Sequence, residues 1–254
     1  MQDRFHALIK RRLRAEIERN PPLFPWESRL LDYEAEQTDW AASPSLWGTQ
    51  LQALKLPVAL PEALLQQIFA ECRKLAHSSL KEGVKLVRAV ETLFPDDLSA
   101  LNQWAGQVLL EPARSAGSTL SPESLPQSYE QANPTQQMVL SLLTAQRLLE
   151  AMTLKLSVDQ RQTQRQWQTA VGEVNLTADL QSDATGVRVQ AQLPTAGRLR
   201  LNGESSRAAA ACTGPDLLTV ELGHLELGKT YALEVELEAA DAPLVFAVVI
   251  EDDL

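Results

Sequence analysis

The apolar residues of this chain change their spacing near residue 155, and no other feature restricts its fold as strongly. Upstream they recur at i, i+3 and i+4. Downstream they alternate, as in Val174, Leu176, Ala178 and Leu180, and again in Tyr231, Leu233, Val235 and Leu237. The first period lines one stripe of a helix, and the second lines one face of a strand. The charge changes at much the same point. Residues 1–170 carry a net of −1 and residues 171–254 a net of −9, which together make the chain total of −10. The pattern predicts an α+β protein with segregated domains. An all-α helical bundle spans 1–152, with a loop or linker at 112–134. An acidic antiparallel β-sandwich spans 153–254.

A chain of 254 residues with 44% hydrophobic content has enough apolar material for a sizeable core. A net charge of −10 argues against a general nucleic-acid coat protein, although it leaves room for a local basic patch. Cys72 and Cys212 fall in different halves without ligand spacing, which suits a reducing compartment rather than a disulfide framework. The first residues are charged and lack the apolar stretch of a signal peptide. The longest apolar run, Leu244–Ile250, is far short of the roughly 20 residues that cross a bilayer. The expectation is a cytoplasmic protein with no membrane partner.

Along the first half, Phe5, Leu8, Ile9, Leu13 and Ile17 mark a helix over 2–19, stopped by Asn20-Pro21-Pro22. A short helix over 28–37 follows. Further helices are expected over 61–77, 79–93, about 97–110 and 135–152, with prolines at several of their boundaries. The second half reads as strands from Leu154 and near 166–180, 186–193, 198–202, 217–222, 231–238 and 244–250. The run from Leu225 to Val235 resembles the L-x-x-G-x-x-Y-x-L-x-V entry to the sixth strand of fibronectin type III and related immunoglobulin-like sandwiches. There, Tyr231 would make the corner that bonds back to backbone.

The groups that usually carry chemistry are sparse. His6, His77 and His224 have no second His or Cys at ligand spacing, so no metal is expected. No G-x-S-x-G, G-x-G-x-x-G or G-x-x-x-x-G-K-[ST] occurs, so neither a nucleophile elbow nor a cofactor-binding phosphate loop is expected. Cys72 lies on an apolar helical stripe, where a thiol is buried and inert. Glu234, Glu236 and Glu238 line one face of a strand and read as a solvated acidic surface.

Two groups suit a partner. Arg11, Arg12 and Arg14 lie on a basic first helix, away from its apolar stripe. Trp26, Trp40 and Trp47 stand in loops near prolines, where they either cover the core or, if exposed, form an aromatic surface that would anchor another protein. The segment Arg11-Arg12-Leu13-Arg14-Ala15-Glu16-Ile17, with Pro21-Pro22-Leu23-Phe24-Pro25-Trp26-Glu27 and Asp32-Tyr33-Glu34, resembles cyanobacterial proteins of the PatU heterocyst-patterning family. The likeness covers about 25 residues. It implies a cytoplasmic regulatory protein rather than an enzyme. The leading expectation is a non-enzymatic regulatory or adaptor protein that binds another protein and uses no cofactor. Two alternatives stay open: a DNA-binding regulator using the basic first helix, and an enzyme whose first sign would be His77 close to Asp96 or Asp97.

Overall fold

The structure is a computed structural model that describes residues 46–54, 56, 58–110, 128–181, 186–203, 206–240 and 242–251. These residues belong to one compact unit, Pro44–Leu254. The helices expected over 2–19 and 28–37 lie outside the described residues.

The described helices are α1 (Thr49–Ala53), α2 (Glu62–Leu75), α3 (Glu82–Val90), α4 (Leu98–Leu110) and α5 (Pro134–Ala151). Local chemistry fixes their ends. Pro61 caps α2, Glu62 occupies its first turn and Arg73 and Lys74 its last, in keeping with the helix dipole. A single 3₁₀ turn, Glu91–Leu93, ends the α3 segment ahead of Pro95. Asn133 and Gln136 form a reciprocal capping box at the start of α5, with Pro134 in the first turn. The expected linker at 112–134 is described only from residue 128, where Tyr129–Gln131 forms a 3₁₀ turn.

Nine strands follow among the described residues: β1 (Thr153–Leu156), β2 (Gln162–Thr169), β3 (Gly172–Leu180), β4 (Gly186–Leu193), β5 (Gly197–Asn202), β6 (Arg207–Cys212), β7 (Asp216–Gly223), β8 (Thr230–Leu237) and β9 (Leu244–Ile250). They form two sheets, ordered β1-β9-β8-β5-β6 and β2-β3-β4-β7. Every pair is antiparallel except β1 with β9. Alternate residues of both sheets enter one buried cluster. The stretch expected as one strand near 166–180 is a hairpin, with Thr169 opposite Gly172. Gly172 turns the chain at φ +133, and a Cβ there would come within 2.7 Å of Pro194 Cβ. The corner expected at Tyr231 is present: the Glu226 amide donates to its hydroxyl at 2.7 Å.

The face of Glu234 and Glu236 differs from the expected bare acidic surface. The β5–β8 register sets Arg200 opposite Glu234 and Arg198 opposite Glu236. Arg200 reaches Glu234 at 3.2 Å and Glu236 at 2.9 Å, Arg198 adds a contact to Glu236 at 3.6 Å, and Asn202 donates to Glu234 at 2.9 Å. Cross-strand arginines therefore neutralise two of the three carboxylates expected there.

The packing also corrects the expectation of separate cores parting at residue 152. No linker intervenes: α5 ends at Ala151, Met152 is fully buried, and β1 begins at Thr153. Pairing of β1 starts at Thr153 with Ala247, so Leu244–Phe246 have no β1 neighbour. Helix α2 fills that place. Arg73 Nη2 donates to the Pro243 carbonyl at 2.7 Å. Phe69 stacks on Trp167 at 5.8 Å, and Trp167 meets Phe246 edge-on at 5.7 Å. Helical and sheet residues thus belong to one continuous buried cluster. The change of apolar period marks a change of secondary structure within that core.

Candidate functional site

The strand register creates a second, outward face on the five-stranded sheet. Thr153 and Lys155 of β1 lie level with Ala247 and Val249 of β9, and Thr230 of β8 lies beside Val249. Ala247 projects little from this face. Opposite stand the α2–α3 connection, the first turns of α3, the end of α4 and the last turns of α5. Between them lies a cleft of about 670 Å³. That volume falls in the range of pockets that take small ligands or short chain segments.

The cleft walls combine leucines with cations. Leu80, Leu86, Leu109 and Leu149 supply apolar surface, and Lys81, Lys85, Lys155 and Lys229 supply positive charge. Glu82, Glu150 and Glu251 also line it, so the described lining residues carry a surplus of one positive charge in a chain of net −10. The lysines differ in how their charge is met. Lys155 contacts Glu251 at 3.1 Å and Glu82 at 3.4 Å. Burial alone would lower its pKa, but the hydrogen bonds and charges of these two carboxylates outweigh that and raise it. Lys229 pairs with Glu226 at 3.5 Å. Lys85 is half-buried and donates to the Ala76 carbonyl at 3.0 Å. Burial lowers its pKa, and the charge of Glu82 opposes this only in part. The Oε1 of Glu82 is itself the acceptor for Lys155.

A smaller groove of about 300 Å³ runs along α1, with Leu51, Leu54, Leu56 and Leu65 in its lining.

Of the residues expected to bind a partner, Arg11, Arg12, Arg14, Trp26 and Trp40 lie outside the described residues. Trp47 is described, and it is a core residue with 2% exposure. Its indole donates to the Ala242 carbonyl at 2.8 Å, and its own carbonyl accepts from Trp167 Nε1 at 3.3 Å. Together with Ala170 N to Leu46 O at 3.0 Å and Gln168 N to Gln50 Oε1 at 2.8 Å, it fastens residues 46–50 along β2. A tryptophan in this position is a structural tie and offers no surface to a partner.

The groups proposed for an unrecognised enzyme stand in solvent: His77, Asp96 and Asp97 are exposed, and none lines the cleft. Cys72 is fully buried, and desolvation, aided by the charge of Glu71, pushes its pKa up to about 12. Among the described residues, no group of three His, Cys, Asp or Glu side chains is placed to hold a metal ion. No described helix is long and apolar enough to cross a membrane.

Sequence reasoning did not single out the cleft lysines. Lys155 occupies an ordinary polar position in an alternating strand, and Lys85 sits between Val84 and Leu86 on a short helix. They line one cleft only because α3 stands across from the outer face of a sheet formed about 70 residues later in the chain. No protein-family model matches the chain, and no curated protein matches it closely enough to be counted a relative.

Proposed function

We propose that this chain is a non-enzymatic regulatory or adaptor protein of the cytoplasm that binds another protein, and that the lysine-bearing cleft is where it does so. The observation that carries the reading is a locally cationic, leucine-walled cleft on a chain of net −10. A partner acidic overall would be repelled by the chain at long range, so the fit is to an acidic segment on an otherwise near-neutral or basic protein. The resemblance of residues 11–34 to a regulatory family points the same way.

The architecture we propose for the sheets is an immunoglobulin/fibronectin-III-like Greek key with one strand added to each sheet. Strands β3-β4-β7 would form one sheet of the key and β6-β5-β8-β9 the other. The Tyr231 corner at the start of β8 falls where that fold carries its tyrosine. In this reading the helices serve as a layer on the flank of the key, and β1 and β2 join the two. Such a fold hosts many functions, so the functional proposal rests on the cleft.

Replacing Lys85 and Lys155 together with Glu tests the proposal. The unmodified chain should retain a stoichiometric partner from native lysate at low salt and lose it as salt rises. The double variant, with an unchanged circular dichroism spectrum, should retain none. Failure to recover a stoichiometric partner with the unmodified chain at low salt, or equal recovery with the double variant, overturns the reading.

A further inference from the structure

We propose that the cleft receives the C-terminal carboxylate of the partner's polypeptide, with Lys85 as its counter-charge and the partner's last apolar side chain among the leucines. The inference rests on the protein-binding reading above and names the part of the partner that is bound.

Three observations lead to it. The first is the unequal state of the cations. Lys155 is matched by two carboxylates and Lys229 by Glu226, whereas Lys85 is half-buried against a neutral carbonyl. Its nearest carboxylate, Glu82, is engaged by Lys155. A half-buried ammonium with no carboxylate in contact among the described residues carries a partial desolvation cost that an incoming carboxylate would relieve.

The second is the charge of the lining. Among the described lining residues four lysines face three glutamates, so one monoanion balances them. A phosphate dianion would overshoot that balance and face Glu82, Glu150 and Glu251. Among the described residues the cations of the lining are lysines, without the arginine fork that fits phosphate bidentately.

The third is the apolar wall beside Lys85. Leu80, Leu86, Leu109 and Leu149 offer no hydrogen-bonding side chain, and Ser79, Gln146, Thr153 and Thr230 supply the neutral polar ones of the lining. An acidic residue in the middle of a chain enters with backbone on both sides, and the amides that face the leucines would lie unpaired. A chain end carries its charge beside one side chain and leaves backbone on one side only.

The test uses the full chain and three probes followed by amide chemical shifts. The first is a short acetylated peptide ending in two leucines as the free acid. The second is the same peptide as its C-terminal amide. The third has internal aspartates and an amidated end. Hexanoate serves as the small-molecule comparison. The free acid should bind at least about tenfold more tightly than its amide and than hexanoate, with shifts at Lys85, Leu109 and Val249. Lys85→Gln should erase the preference for the free acid, and Lys85→Arg should keep most of it. Equal binding of acid and amide, or a preference that survives Lys85→Gln, overturns the inference. Hexanoate binding as tightly as the peptide acid overturns the assignment to a chain end. Binding of the internally acidic peptide alone defeats this inference and leaves the protein-binding reading standing. If no probe shifts the cleft resonances at about 10 mM, both fail.

Discussion

Cys72 illustrates how position on an element decides the chemistry of a side chain. Its place on the apolar stripe of α2 buries it completely, and its Sγ lies 3.8 Å from the Ala145 carbonyl of α5. Desolvation opposes the thiolate, so the thiol that would ionise near 9.0 in water does so near 12 when folded. In that interval the folded chain holds a proton that the unfolded chain has lost. Stability attributable to this group is therefore complete below pH 9 and is lost as pH rises toward 12, by about 1.4 kcal/mol per pH unit. Lys155, whose pKa is also raised, adds a loss of the same sign that begins at its ordinary value of 10.5, within the same interval. Melting temperature measured from pH 8 upward should fall, and Cys72→Ala should flatten the fall between pH 9 and 10.5 and make it shallower above that. An unchanged slope in the variant would show that the thiol ionises equally in both states. The inert thiol was legible from the sequence because helical period alone places residue 72 with Ile68 and Phe69. A core-covering Trp47 is one of the two sequence readings, but its partners Ala242 and Trp167, remote in the chain, are not readable from it.

At the scale of elements, the reciprocal cap on α5 has the most to hold. This helix buries Met138, Val139, Leu140, Leu142, Ala145 and Leu148, and it leads directly into β1. Asn133 accepts from the Gln136 amide at 2.9 Å, and Gln136 Oε1 accepts from the Asn133 amide at 3.0 Å. Asn133→Ala removes the first of these bonds and weakens the frame for the second. The expected cost is about 0.5–2 kcal/mol in urea titration with little change in the slope, and Asn133→Asp should recover most of it. Prolines made most helix limits readable: Pro61, Pro95 and Pro134 all stand within a few residues of a terminus. The strands with clean alternation were readable for the same kind of reason. Helix α1 has no such signal, and two features of the sheets had none either. Strand β6 is Arg207 followed by four alanines and Cys212, and alanine carries no strand preference and too little contrast to reveal a period of two. The β2–β3 hairpin was read as one strand because its turn is Ala170-Val171, with a single glycine and no Asn-Gly or Asp-Gly pair to announce it.

At the scale of the molecule, local periodicity reports which face of an element is apolar but not which other element covers it. Phe69 and Trp167 are each legible as inward-facing, yet nothing in either segment says that they stack on one another across 98 positions. The cleft was hidden for the same reason, because it exists only where the helical layer meets the sheet. A shared core has a consequence for unfolding that separate cores would lack. Trp167 touches α2 through Phe69 and β9 through Phe246, and it anchors residues 46–50 through its indole. Trp167→Ala should cost on the order of 3–5 kcal/mol, because the void would be walled by three elements whose positions are fixed by other contacts. In the unmodified chain, far-ultraviolet circular dichroism, which weights the helices, and near-ultraviolet signals from the buried tryptophans should follow one coincident denaturant transition. Cutting the gene at residue 152 is the sharper measurement. A 153–254 fragment would expose Trp167, Phe246 and the outer face around Val249, and it should bind a hydrophobic dye and lose its near-ultraviolet signal. Mixing it with the 1–152 fragment should restore that signal in a concentration-dependent way. A 153–254 fragment that melts cooperatively at the temperature of the whole chain would mean that the aromatic contacts across residue 152 contribute nothing to its stability.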